Sequence, residues 1–149
     1  MLGVNNNGQI AGFTFQMSAA SPGIFADASG NLVPSPVVAQ GALTSLYVTG
    51  TGEVTPALKT AYSPSSTTAI ASLPRPVLPL SVTVGGVPAF VQFAGVSAGL
   101  VGTLQVNIIV PSNAPTGNQP VVITVGGVKS APVNIVVQAA KPAGGSASQ

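Results

Sequence analysis

The amino-acid sequence predicts an all-β fold in which about seven to eight strands form two facing layers. Short segments rich in Val, Ile, Thr, Phe and Tyr alternate with Gly, Pro, Asn and Ser, which is typical of strands joined by turns. No stretch keeps a helical period for longer than two turns. The motif TVGGV also occurs twice, each time with Gly-Gly between strand-forming residues. Together these observations indicate a succession of hairpins.

Seven segments have the composition of strands. In the segment at 103–110 the even-numbered residues from Leu104 to Val110 are apolar, whereas Gln105 and Asn107 on the other face are polar. Since a shift of one residue would bury both amides, the register is well specified. The predicted strands are 10–17, 42–49, 78–84, 87–93, 103–110, 120–126 and 132–138, with a short extended piece near 22–26.

The repeated Gly-Gly pairs predict tight hairpin turns. Gly85-Gly86 and Gly126-Gly127 each lie between strand-forming residues, and turns of type I′ or II′ need residues that adopt positive φ. The alternative, a Gly-rich phosphate loop, needs a helix to follow directly. A proline follows each pair within five residues and argues against a helix. The pairs are therefore interpreted as turns.

The chain divides into three parts at changes in composition. Residues 1–21 hold an N-terminal strand and its connector, 22–138 form the sandwich, and 139–149 form a flexible C-terminal tail. The Ser-, Thr- and Pro-rich residues 53–79 predict a long surface connection with part of an edge strand. The N-terminal strand at 10–17 has three open alternatives: pairing in its own sandwich, continuity with a preceding domain, or exchange with a neighbouring copy.

Four ordered motifs span most of the chain. They are SPGIFADASGN at 21–31, ALTSLYVTGTGEVTP at 42–56, LPLSVTVGGVPAFVQFAGVSAGLVGTLQVNIIVP at 78–111 and GNQPVVITVGGVKSAPVNIVV at 117–137. In this order they resemble the Solibacter-type uncharacterised C-terminal domain family of bacteria, and the resemblance covers about residues 20 to 138. The GGVPA and VGGV units are also similar to the wider IPT/TIG group.

The resemblance implies an immunoglobulin-like β-sandwich of the kind that is repeated, or placed at the end, in large exported bacterial proteins. It implies no enzymatic activity, and it carries over no functional residue. The loop after Phe25 is shorter than in the family, and Ser97-Ala98-Gly99 stands where the family often has Pro-Gly. These departures concern the shapes of loops.

The chain carries unusually few charges. Four Lys and Arg residues and two Asp and Glu residues give a net charge of +2. Charged residues make up 4% of the chain, against about 25% in ordinary domains, so little repulsion keeps copies apart. The bases are scattered, and no apolar run is long enough to span a membrane, so neither nucleic acid nor membrane insertion is predicted. Residues 1–20 lack signal-peptide features, so the signal for the expected extracellular or cell-surface location lies outside this chain.

The residue types argue against catalysis. The chain has no His and no Cys, which excludes a Ser-His-Asp triad, a Cys nucleophile and a zinc–thiolate site. Asp27 and Glu53 are the only acids, and nothing in the sequence brings them together. The run from Asp27 to Asn31 has part of the spacing of a calcium loop but lacks its closing Glu, so an Asx turn is favoured. The chain is therefore predicted to be no enzyme and to need no cofactor or metal.

Aromatic residues and the N-terminal strand supply the remaining candidates. Four phenylalanines are predicted to lie in the core, whereas Tyr62 in the Ser/Thr/Pro-rich connection is predicted to be exposed and is the candidate ligand contact. The candidate self-association strand contributes apolar residues at every second position. The predicted core phenylalanines are Phe13, Phe15, Phe90 and Phe93, and the association residues are Phe13, Phe15 and Met17.

Two functions remain open. The first is a non-enzymatic structural module of a bacterial extracellular or cell-surface protein, which acts as a spacer or as a self-associating building block, including a filament subunit formed by strand exchange. The alternative is an adhesion or polysaccharide-binding accessory module that uses Tyr62. The expected partners are thus further copies of the chain, neighbouring domains of a larger surface protein, or a polysaccharide.

Overall fold

Strands joined by turns and loops build the chain, which confirms the all-β fold class. The structure is a computed structural model and describes residues 2–4, 7–8, 10–12 and 16–141. In these residues the only helical element is a 3₁₀ turn at Ile70–Ser72. The strands are β1 (Leu2–Val4), β2 (Ile10–Gly12), β3 (Gly23–Ile24), β4 (Val37–Ala39), β5 (Leu43–Thr49), β6 (Val54–Thr55), β7 (Arg75–Pro76), β8 (Leu80–Val84), β9 (Val87–Val96), β10 (Leu104–Ile109), β11 (Gly117–Val125), β12 (Val128–Lys129) and β13 (Val133–Gln138).

Nine of the described strands form one main sheet. Its order is β3-β5-β10-β9-β8-β11-β13-β4, and β12 pairs with β11 beside this path. All neighbours run antiparallel except β13 and β4, which run parallel. β9 connects two parts of the path, because residues 87–89 pair with β8 whereas 90–96 pair with β10. We name β3, β5, β10 and the second part of β9 the β5 half, and the remaining strands the β11 half.

The buried side chains of both halves form a single hydrophobic cluster. The even-numbered residues from Leu104 to Val110 are buried, which confirms the predicted register of this segment. From the β11 half, Val82, Ile123 and Ile135 belong to the same cluster and are almost completely buried. Each such aliphatic side chain contributes about 1.5–3 kcal/mol when it leaves water. The immunoglobulin-like arrangement of the two halves stays a prediction.

Both Gly-Gly pairs lie in two-residue turns. Gly85 and Gly86 have φ angles of 57° and 81°, and β8 pairs with β9 directly across them. Gly126 and Gly127 have φ angles of 56° and 85° and join β11 to β12 in the same way. Positive φ at both central residues is the geometry of a type I′ turn, whose twist matches that of the flanking strands.

After the Gly126-Gly127 turn, two short strands pair with β11 one after the other. β12 ends at Lys129, and β13 then pairs with the first part of β11. Ser130 bridges the change, since its N–H donates to the Ile123 carbonyl over 2.9 Å and its Oγ accepts the Ile123 N–H at 3.2 Å. The same hydroxyl donates to the Ala131 carbonyl over 2.8 Å. A side chain therefore supports the ladder where the backbone leaves it.

A β-bulge interrupts the ladder between β9 and β10. Asn107 lies opposite Phe93, whereas the next residue, Ile108, lies opposite Val91. Gln92 is therefore the extra residue on β9. Side chains alternate between the two faces of a strand, and an extra residue shifts that alternation by one. The bulge thus places Phe93 on the outer face of the sheet.

The prediction that Phe90 and Phe93 lie in the core is wrong. Phe90 is 67% exposed, and Phe93 is only half-buried at the surface. The inward positions of this strand belong to smaller residues, and Ala89 and Val91 are the ones that pack against the buried cluster. Ring size suggested burial, but the alternation that starts at the Gly-Gly turn decides the face.

The Ser/Thr/Pro-rich connection contains a small sheet of its own. β6 and β7 pair antiparallel, with Val54 opposite Pro76 and Thr55 opposite Arg75. These two strands are separate from the main sheet, so the predicted edge strand within residues 53–79 is instead a two-stranded sheet. This pairing ties the two ends of the connection together.

Gly50 permits a close backbone approach where the chain joins the main sheet. The Ser21 N–H donates to the Gly50 carbonyl over 2.8 Å, and a Cβ on Gly50 would overlap the Ser21 carbonyl oxygen. Gly50 has a φ angle of 68° and Gly102 has one of 69°, but a Cβ on Gly102 would meet open space. The two glycines therefore form a matched pair for substitution.

We expect Gly50→Ala to destabilise the fold more than Gly102→Ala. The control should lose about 1–2 kcal/mol, because a left-handed backbone is unfavourable for any residue with a Cβ. Gly50→Ala adds the overlap with the Ser21 backbone, which no side-chain rotation relieves. Denaturant unfolding of both variants measures the difference in the free energy of unfolding. Equal losses would contradict the close approach.

Candidate functional site

Ionisable side chains are few among the described residues. Within them, no three His, Cys, Asp or Glu side chains lie close enough to hold one metal ion. A search of the same residues for a helix long and apolar enough to cross a membrane finds none. The features that stand out are a turn at Asp27, a cleft beside Tyr62, the N-terminal residues and the outer face of the β5 half.

Residues from Asp27 to Asn31 form an Asx turn. Asp27 Oδ1 accepts the backbone N–H groups of Ser29 and Asn31 at 2.9 and 2.8 Å, and Oδ2 accepts the Asn31 side-chain amide at 3.1 Å. A β-bridge between Ala26 and Leu32 closes the loop. Both carboxylate oxygens thus accept hydrogen bonds from within the loop, in agreement with the Asx turn that the sequence favours.

Tyr62 lines a cleft at the end of β5. The cleft has a volume of about 270 Å³, and Leu58 and Val101 contribute apolar walls. Tyr62 is 54% exposed, which confirms its predicted exposure. Its N–H donates to the Lys59 carbonyl over 3.1 Å, and Ala61 inside this turn has a φ angle of 60°. Few residues other than Gly adopt that conformation, so the surroundings hold the turn firmly.

The chemistry of this cleft combines one ring with one cation, because the Lys59 side chain also lines it. A phenol ring offers an apolar face together with a hydroxyl that donates and accepts hydrogen bonds. An ammonium group adds three donors. These groups suit a ligand that has both C–H faces and oxygen acceptors.

The N-terminal residues lie apart from the main sheet. β1 and β2 pair with each other in a separate two-stranded sheet. Of the predicted self-association residues, Phe13 and Phe15 lie outside the described residues, and Met17 is 85% exposed. The connector that follows is anchored, since Ala20 is buried. Within the predicted strand at 10–17, residues 10–12 pair with residues 2–4, whereas residues 16 and 17 lie in no strand.

The outer face of the β5 half carries an apolar row that the sequence analysis did not identify. Ile109 lies opposite Leu43 on one neighbour and opposite Phe90 on the other, and Leu43 and Phe90 are both exposed. The next row is polar: Ser45 Oγ donates to Asn107 Oδ1 over 2.9 Å. The signal was present in the outward positions of the three predicted strands.

An aromatic contact borders this face. The Arg75 guanidinium lies over the Phe93 ring, 5.2 Å from its centroid, which is the geometry of a cation–π contact. The tip of the same ring lies over Gly95, where a Cβ would meet it. The Arg75 guanidinium and the Phe93 ring thus cover each other, and the cation of Arg75 makes its contact within the chain.

Comparison with known proteins leaves the sequence resemblance a prediction. No family model matches the chain, and no curated protein matches it. The assignment of function therefore depends on the exposed features just described.

Asp27 gives the fold a defined response to acid. Hydrogen bonds from the backbone and the side chain of Asn31 hold the pKa of Asp27 below its ordinary value of 3.8, and a backbone hydrogen bond from Ser29 adds to this effect. A pKa that is lower in the folded state stabilises the fold above the ordinary pKa, and this stabilisation is lost as the pH falls through the folded value.

We expect Asp27→Asn to lower the midpoint of denaturant unfolding at neutral pH, because the amide accepts weaker hydrogen bonds than the carboxylate. The gap between the two proteins should narrow below about pH 4, where Asp27 of the unfolded wild type takes up a proton. Unfolding curves recorded from neutral pH to about pH 2 test this. A gap that stays constant with pH would contradict the role of the carboxylate.

Proposed function

We propose that this chain is a non-enzymatic structural module of a bacterial extracellular or cell-surface protein and that it acts as a self-associating building block. The observation that carries the proposal is the exposure of large apolar side chains on a nearly uncharged chain. Met17, Leu43 and Phe90 are each more than half exposed. Scattered apolar residues are common on protein surfaces, but the row of Leu43, Ile109 and Phe90 is contiguous, and such patches mark association surfaces.

The low charge supports association. Four basic and two acidic residues provide little repulsion between copies. Apolar area that leaves water on contact contributes about 25 cal/mol per Å² before the entropy lost on association is subtracted. The apolar row contains no ionised group, so no charge has to lose its water when a second copy covers it.

Strand exchange is the mode of association that we favour. Phe13, Phe15 and Met17 occupy every second position, which gives the N-terminal segment one apolar face. An arm that enters the next copy makes a contact between two different surfaces, and repetition of that contact builds an open filament unless it closes into a ring. The resemblance of the sequence motifs to a family of exported bacterial proteins supports the extracellular setting, in which the module also serves as a spacer.

We expect the double variant Phe13→Ser with Phe15→Ser to lose self-association. Serine removes the apolar face of the N-terminal segment but adds no charge. The wild type should form oligomers that grow with concentration, whereas the variant should remain monomeric. Size-exclusion chromatography with light scattering, followed by electron microscopy, measures both. Phe25→Ser is the control, since it removes an exposed ring just beyond β3, and it should assemble as the wild type does.

Added salt separates apolar from ionic association in the same assay. Because salt screens charge pairs but does not weaken apolar contacts, the oligomers should persist at high salt. Dissociation by salt would contradict an apolar mechanism. A wild type that stays monomeric at every concentration would remove self-association and leave only the role of a spacer.

The cleft beside Tyr62 favours a second function, attachment of a larger protein to a polysaccharide. An exposed ring offers a face on which a sugar ring packs, and Lys59 lines the same cleft. A single ring gives a weak site, but several copies on one assembly raise the overall affinity without any new contact. This adhesive function is therefore compatible with self-association.

We expect Tyr62→Ala to abolish retention on a glycan array and Tyr62→Phe to keep most of it. The alanine variant removes the stacking face, whereas the phenylalanine variant removes only the hydroxyl. Phe25→Ala, just beyond β3, is the control for loss of an exposed ring and should bind like the wild type. Binding that survives in Tyr62→Ala would contradict this use of the cleft.

A further inference from the structure

Along most of β5, one side is not paired with any of the described strands, and we name this gap the seam. β3 pairs with β5 only at Thr49 and Val48, and just beyond it the Phe25 N–H donates to the Tyr47 carbonyl over 2.9 Å. From Tyr47 back to Leu43, none of the described strands pairs with this side of β5. Most of β5 therefore has a free edge on the side where the short strand β3 pairs only with its end.

The orientation of the free backbone groups on β5 follows from its ladder. The Val110 N–H donates to the Ala42 carbonyl over 2.9 Å, so the even-numbered residues of this stretch direct their N–H and C=O groups towards β10. The Tyr47 carbonyl points the other way, and the alternation gives Leu43 and Ser45 the same direction. The backbone groups of Leu43 and Ser45 thus face the seam.

β4 borders the other side of the seam. Two hydrogen bonds show how it pairs with β13. The Val136 N–H donates to the Pro36 carbonyl over 2.7 Å, and the Gln40 N–H donates to the Gln138 carbonyl over 2.9 Å. In a parallel ladder alternate residues point to the same neighbour, so Val37 directs its N–H and C=O away from β13. Two edges with free backbone groups therefore border one groove.

The groove between these edges is uncharged, and polar and apolar residues line it in similar measure. It has a volume of about 430 Å³, and β4 and β5 both line it. Val38 and Thr44 are buried at the groove, whereas Val37 and Leu43 are exposed along it. None of the described residues that line it is charged. An exposed edge of this kind is a template for pairing with another strand.

We propose that this seam is the acceptor for residues 13–17 of a second copy of the chain. The inference depends on the proposed self-association and names the site where it occurs. A strand inserted in the seam would pair with β5 on one side and with β4 on the other. It would direct Phe13, Phe15 and Met17 to one face, towards the side of the groove where Val38 of the buried cluster lies.

The length and charge of the donor match the acceptor. Residues 13–17, about 17 Å long when extended, are one residue longer than the stretch of β5 from Leu43 to Leu46, which has no backbone partner on this side among the described strands. The chain has no charged residue before Asp27, and the groove has none among its lining residues, so insertion buries no ion. Pairing would satisfy the backbone groups of Leu43, Ser45 and Val37 that face the seam.

The position of the connector favours a second copy over the same one. The Ser21 N–H bonds to the Gly50 carbonyl, and the Ala19 carbonyl lies beside Gly52, so the connector leaves the sheet past the C-terminal end of β5. The free stretch lies towards the opposite end of that strand. The segment of the same copy would have to reverse over β3 to reach it, and Met17 is exposed rather than packed in its own groove.

The pair Leu43→Lys and Leu100→Lys tests the acceptor. Both replace an exposed leucine, 54% exposed at Leu43 and 47% at Leu100, but only Leu43 lines the groove. We expect Leu43→Lys to weaken self-association by at least about tenfold, because a lysine on an edge strand opposes pairing with a further strand. Leu100→Lys should assemble like the wild type. Thermal unfolding of both variants checks that the fold is intact.

Cysteine cross-linking tests the same contact without a charge. The chain has no cysteine, so each introduced thiol is unique. Copies with Thr14→Cys or Gln16→Cys are mixed under oxidising conditions with copies that carry Ser45→Cys, and separately with copies that carry Ser81→Cys on β8. We expect mixed disulfides with Ser45→Cys only, since a disulfide requires Cα atoms within about 7 Å.

The outcomes distinguish this inference from the proposed function. Wild-type assembly with an unaffected Leu43→Lys variant and no mixed disulfide at Ser45→Cys overturns the seam as acceptor and leaves self-association standing. A wild type that is monomeric at every concentration overturns both. Assembly that is lost in Leu43→Lys, kept in Leu100→Lys and cross-linked at Ser45→Cys supports the seam.

Discussion

The need to pair backbone N–H and C=O groups governs this molecule more than any single side chain. In the main sheet, the backbone N–H and C=O groups of the inner strands pair with neighbours on both sides. β9 connects the two halves of this sheet, and the buried side chains of both halves form one cluster. The two ends of the path are very short strands, β3 and β4. Natural sheets often protect such edges with Lys or Pro. Here β3, β4 and β5 contain neither, so the edges beside them stay available.

The bulge at Gln92 decides which side chains of β9 point to the interior and which point to the surface. Before it, Ala89 and Val91 point inward, and after it the alternation shifts so that Phe93 points outward. The bulge thereby moves the Phe93 ring to the outer face, which Phe90 already occupies through the alternation from the Gly-Gly turn, and smaller residues pack against the buried cluster instead. The Arg75 guanidinium covers one ring, but Phe90 remains exposed. The buried cluster of the described residues thus consists of aliphatic side chains, and the Phe90 ring lies at the surface.

Most of the strands could be predicted from the sequence, because the residues that specify each strand or turn lie within a few positions of one another. Gly85-Gly86 specifies a turn by backbone geometry alone, and the alternation from Leu104 to Val110 specifies a face. β4 escaped prediction because three residues carry too little periodicity, and its partner β13 lies about 100 residues away along the chain. The bulge at Gln92 has no sequence signal of its own. The exposure of Tyr62 followed from its polar surroundings, but its cleft is formed by segments that only the fold brings together.

The two candidate sites lie towards opposite ends of β5, and this separation decides whether they compete. Gly50 and Gly52, just past its C-terminal end, line the cleft beside Tyr62, whereas Leu43 and Ser45 line the seam nearer its start. A strand from a second copy can therefore fill the seam and leave the cleft open. Each added copy then presents one more cleft, and a filament accumulates weak sites along its length. The proposed self-association would in this way combine the edges of the sheet with repeated copies of the cleft.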